Sequence, residues 1–127
     1  MKTLTKLALA VLLVSILSGC ALFATSAVVG AFAWVEGELQ REYQSPYAKA
    51  ISSTEDVLKD LKIRILDKTD DGITCRIDAK QADNTQVSVR VQNMAPKRVM
   101  IAVRVGRVGL WDRSVAETIH NYIKARL

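Results

Sequence analysis

Two consecutive segments of alternating apolar residues constrain the fold of this chain more than any other feature. Residues 87–91 carry valine at every odd position, and residues 99–105 carry valine or isoleucine at every odd position. Because side chains alternate between the two faces of a β-strand, both segments predict strands with one apolar face. Pro96-Lys97 predicts a turn between them, so the two strands should lie next to each other in an antiparallel meander.

Three more strands are predicted on similar grounds. Residues 63–65 and 73–80 flank an Asp70-Asp71-Gly72 turn, which is typical of a hairpin. A second turn is expected at residues 82–84. In the later strand of the hairpin, alternation assigns one apolar face to Ile73, Cys75, Ile77 and Ala79. Residues 34–43 are rich enough in β-formers to predict a first strand, at an edge because three glutamates weaken the pattern.

Two helices are predicted, one before and one after the four-strand meander. Ser45-Pro46 resembles a helix start, with serine as the N-cap. The second helix is predicted to begin near Trp111-Asp112, and residues 114–117 have the form of a capping box. The apolar face of the first helix comprises Tyr47, Ile51, Thr54, Leu58 and Leu61, and that of the second comprises Val115, Ile119, Tyr122 and Ile123. The order β-α-β-β-β-β-α predicts an α+β two-layer sandwich, with two helices on one face of an antiparallel sheet of about five strands.

The N-terminal segment has the pattern of a cleavable export signal. Lys2 and Lys6 precede an apolar stretch over residues 7–17, and the segment Leu17-Ser18-Gly19-Cys20 follows. That segment resembles the lipobox of bacterial lipoproteins, in which cysteine receives a lipid and the chain is cut in front of it. We therefore expect residues 1–19 to be a signal peptide, residues 20–33 a lipidated tether and residues 34–127 one α+β domain.

This interpretation predicts a membrane-anchored protein on the periplasmic side. Ala21 replaces the aspartate that would favour inner-membrane retention, so the outer membrane is favoured. An alternative is an uncleaved anchor, because no charged residue occurs from residue 7 through residue 35 and about 20 apolar residues suffice to span a bilayer. Small polar residues near the centre of that stretch favour the processed form.

The sequence offers no catalytic constellation. It contains a single histidine, His120, expected at the surface, and Cys75 has no partner if Cys20 carries the lipid. We expect Cys75 to be a buried hydrophobic residue. Gly106 and Gly109 lack the P-loop spacing and predict a turn from strand to helix. The expectation is thus no enzyme, no metal site and no cofactor apart from the covalent lipid.

Charge leaves a second type of function open. Without Lys2 and Lys6 the chain has sixteen Lys and Arg against thirteen Asp and Glu, which does not predict nucleic-acid binding. Five arginines nevertheless occupy polar positions of the meander: Arg64, Arg76, Arg90, Arg98 and Arg104. They predict that the face of the sheet not covered by the helices is basic, with Asp78 as the main counter-charge. Such a face is either solvated or a binding surface for anionic envelope lipid or glycan.

Three segments together resemble a known family of small bacterial lipoproteins. They are residues 34–39, the helix over residues 47–61, and residues 103–109 leading into Ser114 and Ile119. The resemblance is to domain of unknown function 3568 and extends from the lipobox to the C-terminus. One departure is Leu110-Trp111-Asp112, where that family usually has an acidic pair. The resemblance implies a lipid-anchored α+β domain and no activity, so we expect a structural or interaction module with an envelope protein as its partner.

The lipobox generates the first testable prediction. Labelling with a clickable fatty acid should modify the wild-type protein, and Cys20→Ser should abolish that labelling because the acceptor thiol is gone. Intact mass should show the wild-type protein without its first nineteen residues. A serine variant that still takes up label would contradict the assignment.

Overall fold

A computed structural model describes residues 1–10 and 32–127 of the chain. Residues 2–10 are helical (α1), and the folded domain begins after Phe32. Its helices are α2 (Tyr47–Asp60) and α3 (Arg113–Arg126). Its strands are β1 (Ala33–Val35), β2 (Glu38–Tyr43), β3 (Arg64–Asp70), β4 (Thr74–Lys80), β5 (Gln86–Ala95), β6 (Arg98–Arg107) and β7 (Leu110–Trp111). The proposed cleavage motif, Leu17, Ser18 and Gly19, and the proposed lipidation site, Cys20, lie outside the described residues.

The strands form an antiparallel sheet in the order β1-β2-β6-β5-β4-β3, with β7 pairing with β6. The predicted mixed α+β class is therefore confirmed, but the prediction of about five strands is wrong because the sheet has seven. The two extra strands are β1 and β7, which have three and two residues. A segment of two or three residues is too short to show an alternation of apolar and polar residues in the sequence.

The predicted single strand over residues 34–43 is a hairpin. Glu36 and Gly37 form its turn, with φ of 49° and 81°, and this conformation suits glycine at the second position. β2 pairs with β1 on one side and β6 on the other. The prediction of an edge position is consequently wrong for β2, which carries the glutamates Glu38 and Glu42, and the edge is β1.

Both helices of the domain pack on one face of the sheet, as predicted. Their buried side chains include Ile51, Leu58, Ile119 and Ile123. The apolar positions of the meander complete this core, and those with at most 2% exposure are Cys75, Ile77, Ala79, Val87, Val89, Val91, Val99, Ile101, Val103 and Val105. Cys75 is thus buried, and burial raises the pKa of its thiol.

Two apolar assignments near the ends of elements are wrong. Ile73 precedes β4, lies in the turn after Gly72 and is 65% exposed. Tyr122 is 49% exposed, because the neighbouring positions Ile119 and Ile123 already face the sheet. Each residue fits the apolar period of its element but lies outside the contact area of the core.

The predicted cap residues of both helices are wrong, although the predicted start of α3 near Trp111-Asp112 is confirmed. Pro46 is the N-cap of α2 and has no side chain to cap it, while the Ser45 hydroxyl donates to the Pro46 carbonyl. In α3 the N-cap is Asp112, whose carboxylate accepts from the Val115 amide at 3.1 Å. Ser114 lies inside the helix. The β6–β7 hairpin, which replaces the expected strand-to-helix turn at Gly106 and Gly109, sets this start.

His120 is fully buried, which contradicts the surface position expected from sequence. Its Nε2 lies 2.7 Å from the Leu39 carbonyl oxygen, and its Nδ1 lies 2.7 Å from the Tyr43 hydroxyl. A carbonyl only accepts, so Nε2 carries the proton and Nδ1 accepts from Tyr43. The ring is therefore a neutral tautomer with both nitrogens paired, and it joins α3 to β2.

Aromatic and cationic groups surround this histidine. The Tyr43 ring stacks on it at 5.9 Å between centroids, and the Phe32 ring meets it edge-on at 5.3 Å. The Arg41 guanidinium lies 4.8 Å from the Phe32 ring centre and 5.3 Å from that of Tyr43. We call Phe32, Arg41, Tyr43 and His120 the histidine cluster. It attaches the residue before β1 to the core.

The histidine cluster predicts a loss of stability in acid. The pKa of His120 is lowered to about 4, chiefly by burial and also by the Arg41 charge, while the hydrogen bond to Leu39 acts to raise it. The unfolded chain binds a proton near pH 6.5, so this contribution is complete above pH 6.5 and is lost as pH falls toward 4. The shift corresponds to about 3 kcal/mol.

Urea unfolding between pH 7 and pH 4 measures this effect. His120→Gln should flatten the pH dependence across that interval, because the titrating group is removed. Tyr43→Phe is the matched control, since it loses a hydrogen bond at a cost of about 1–3 kcal/mol but keeps the titrating imidazole, so a pH dependence should remain. Equal slopes in wild type and His120→Gln would show that another group is responsible.

Candidate functional site

The face of the sheet opposite α2 and α3 is the candidate site, and we call it the open face. Strand register places six basic and four acidic side chains of the described domain on it. These are Arg64, Arg76, Lys80, Arg90, Arg98 and Arg104, with Glu38, Glu42, Asp67 and Asp78. An antiparallel sheet commonly keeps one such polar side. The five arginines predicted from sequence are thus on one surface.

A carboxylate from β2 is at the centre of the most closely paired charges of the open face. Glu38 Oε2 lies 2.8 Å from Arg90 Nη2 and Oε1 lies 3.5 Å from Arg104 Nη2. Gln40 donates a longer hydrogen bond of 3.4 Å to Oε2. Partial burial acts to raise the pKa of Glu38, but the hydrogen bond and charge of Arg90 outweigh it and lower the pKa. Glu38 is therefore ionised at neutral pH and neutralises part of the arginine charge.

Arg104 connects this ion pair to a tryptophan. Its Nη2 donates to the Glu36 carbonyl at 3.0 Å, and its guanidinium lies 5.0 Å from the Trp111 ring centre. Trp111 also covers Gly37, where an added Cβ would come within 2.3 Å of the indole Nε1. Only glycine leaves room for the indole there, so the β1–β2 turn can lie directly beside β7.

The remaining predicted arginines are more exposed. Arg76 pairs with Asp78 at 3.5 Å and Arg98 with Glu42 at 3.9 Å. Arg64 lies on the edge strand β3, opposite Lys80 in register. Neither Arg64 nor Lys80 has a carboxylate within 4.0 Å in the described part of the chain. Arg64 and Lys80 are therefore the basic side chains of the open face that lie outside its ion pairs in the described part of the chain.

A shallow depression of about 280 Å³ lies between these groups. Arg76, Asp78, Lys80 and Arg104 contribute charged walls, and Leu66 and Trp111 contribute apolar ones. Charged groups of both signs beside aromatic and aliphatic side chains are typical of a surface that binds another molecule by salt bridges and apolar contact.

Reactive groups in the described residues lie apart from the open face. His120 and Cys75 are buried beneath the helices. Asp71 accepts from the amides of Ile73 and Thr74, so those hydrogen bonds stabilise the β3–β4 turn. Among residues 1–10 and 32–127, no three His, Cys, Asp or Glu side chains form a group that could hold a metal ion.

Sequence reasoning located the arginines of the open face but missed their main partners. Glu38 and Glu42 lie far from the arginines in the chain, and only the pairing of β2 with β6 brings them together. A usable signal was present, because Glu36, Glu38 and Glu42 all occupy even positions of one strand-like segment. Trp111 was missed because β7 has only two residues.

A family model described as "Protein of unknown function (DUF3568)" matches residues 2–126. No curated protein matches the chain. Within the described segments, no helix is long and apolar enough to cross a membrane.

The geometry of the open face predicts unequal coupling in its ion pairs. A double-mutant cycle with Glu38→Gln and Arg90→Gln should give a coupling free energy of about 0.5–1 kcal/mol, because the pair is close and half-shielded. The same cycle with Glu42→Gln and Arg98→Gln should give a value near zero, because that pair is longer and more exposed. Urea unfolding at low and high salt provides the measurement, and added salt should weaken the first coupling. Equal couplings would contradict the described network.

Proposed function

We propose that this chain, which belongs to the family of proteins of unknown function DUF3568, is a lipid-anchored protein of the bacterial cell envelope. Its domain works as a non-enzymatic interaction module. A lipid on Cys20 holds it on the periplasmic side, with the outer membrane favoured over the inner membrane. The signal-like residues 1–19 and the lipobox support this location.

The open face is the observation that carries the interaction role. Two helices cover the opposite face, and the open face combines the Glu38 ion pairs with Trp111 around a depression. Arginine and tryptophan are residue types enriched at the centres of protein interfaces. Their positions here are set by strands of one sheet and by contacts at Gly37, so the surface is organised before any partner arrives.

A second candidate follows from the edge formed by Arg64 and Lys80. These two basic side chains have no carboxylate partner in the described part of the chain, and the open face has more basic than acidic groups. The domain would then bind anionic envelope lipid or glycan, each basic group near a charged membrane contributing about 1 kcal/mol. Carboxylates engage Arg76, Arg90, Arg98 and Arg104, which favours the protein partner.

Photocrosslinking in living cells tests the interaction role. A photoreactive residue at Gln92, on the open face of β5, should yield an adduct of discrete mass. The matched control is Asn121, an exposed position of α3, which should yield none. The Gln92 adduct should also disappear in Cys20→Ser, because the anchor then no longer delivers the domain to its partner.

Three results would contradict the proposal. Equal adducts from Gln92 and Asn121, or no adduct from either, would remove the open face as an interaction surface. Adducts of phospholipid or glycan from Gln92, reduced when Arg64 and Lys80 are both replaced by Gln, would replace the first candidate with the second.

A further inference from the structure

The β6–β7 hairpin exposes two aliphatic side chains at its tip. Val108 is 91% exposed and Leu110 is 79% exposed, the highest values for large apolar residues in the folded domain over residues 32–127. Gly109 between them has φ of 83°, which makes the turn tight enough to present both side chains outward. Single exposed apolar residues are ordinary, but two on one tight turn form a local patch.

A second turn extends this patch. Trp111 packs over Gly37, so the β1–β2 turn lies beside the β6–β7 hairpin. Val35, the last residue of β1, is half-exposed at that turn. We call Val35, Val108 and Leu110 the apolar tip. It lies at the end of the sheet where β6 finishes.

One basic side chain without a carboxylate partner in the described residues adjoins the apolar tip. Arg107 directly precedes Val108, is exposed, and has no carboxylate within 4.0 Å in the described residues. Two acidic residues lie near Arg107, and both carboxylates are engaged by backbone amides. Asp83 accepts from Thr85 at 3.0 Å and Asp112 accepts from Val115 at 3.1 Å.

We propose that the apolar tip inserts into the interfacial region of the phospholipid bilayer that carries the lipid anchor, with the Arg107 guanidinium among anionic headgroup phosphates. This inference rests on the proposed function, because the anchor brings the tip to the bilayer. Basic side chains beside buried aliphatic groups are the arrangement that the membrane interface favours.

The length of the chain before the domain is compatible with this contact. Ala33, the first residue of β1, lies thirteen positions after Cys20 in the chain. Fully extended, this segment spans at most about 45 Å, so Ala33 lies no farther than that from the lipid-bearing residue and the tip can reach the bilayer. A tether of that length gives a weak contact a high effective concentration at the membrane. A lipid anchor combined with a second membrane contact also binds the bilayer more durably than the lipid anchor alone.

The opposite end of the sheet provides a control with similar local geometry. Ile73 is 65% exposed and follows Gly72, whose φ is 84°. Two carboxylates, Asp70 and Asp71, precede that glycine in the same turn. These carboxylates accept from backbone amides as those near Arg107 do, but no basic side chain adjoins Ile73 as Arg107 adjoins Val108, so an exposed aliphatic residue there should stay in water.

The test uses the full chain, expressed and processed in cells, in two variants. Val108→Cys and Ile73→Cys each receive an environment-sensitive fluorophore, and the parent protein corrects for labelling of the buried Cys75. The purified proteins are reconstituted into vesicles of phosphatidylethanolamine and phosphatidylglycerol. Fluorophore at position 108 should shift to shorter emission wavelength and be quenched by lipid-borne nitroxides, while fluorophore at position 73 should show neither effect. Arg107→Gln should weaken the effect at position 108.

The outcomes separate this inference from the proposed function. If intact mass shows the lipid on Cys20 and the protein binds vesicles, but positions 108 and 73 are equally exposed to water, the inference is wrong and the anchor stands. If the protein carries no lipid and does not bind vesicles, the proposed function and this inference both fail. Shielding of position 108 in native membranes but not in pure lipid vesicles would assign the apolar tip to a protein partner and overturn the inference.

Discussion

The antiparallel pairing of β2 with β6 is the interaction on which both faces of the domain depend. On the buried face, β2 brings the Leu39 carbonyl and the Tyr43 hydroxyl to His120. On the open face, the same strand brings Glu38 to Arg90 and Arg104. Because side chains alternate along a strand, one register sets both arrangements at once, and a slip of one residue would exchange them.

The two arrangements differ in what they contribute. A buried polar group left without its partner costs about 1–3 kcal/mol, so the paired nitrogens of His120 bind β2 to a single position under α3. Exposed ion pairs contribute about 0–1 kcal/mol each, so those of the open face add little stability. Their effect is to set the charge that the surface presents. Glu38 and Glu42 neutralise arginines that are distant from them in the sequence. The buried face therefore specifies the fold, and the open face specifies what the domain offers to a partner.

Prediction from sequence succeeded where a period was long. The alternating segments around Val89 and Val103 and the apolar face around Leu58 appear in the structure as predicted. Prediction failed where a segment was too short to show a period, at the two-residue strand β7, and it assigned the capping of α3 to Ser114 although the start near Asp112 was predicted correctly. It also failed at His120, since the neighbouring apolar residues of α3 did not reveal that a hydroxyl and a carbonyl from β2 would receive the imidazole.

The amino-acid sequence by itself determined the mixed helix and strand content, the helices on one side of an antiparallel meander, the burial of Cys75 and the shared face of the arginines. These properties follow from local periodicity, because each face of a strand or helix is encoded by residues close together in the chain. Only the tertiary structure decided that β2 lies beside β6, that His120 is buried and neutral, and that Glu38 pairs with Arg90 and Arg104. The reason is that these contacts join residues more than fifty positions apart, and no local pattern specifies which distant strand fills the place beside β6.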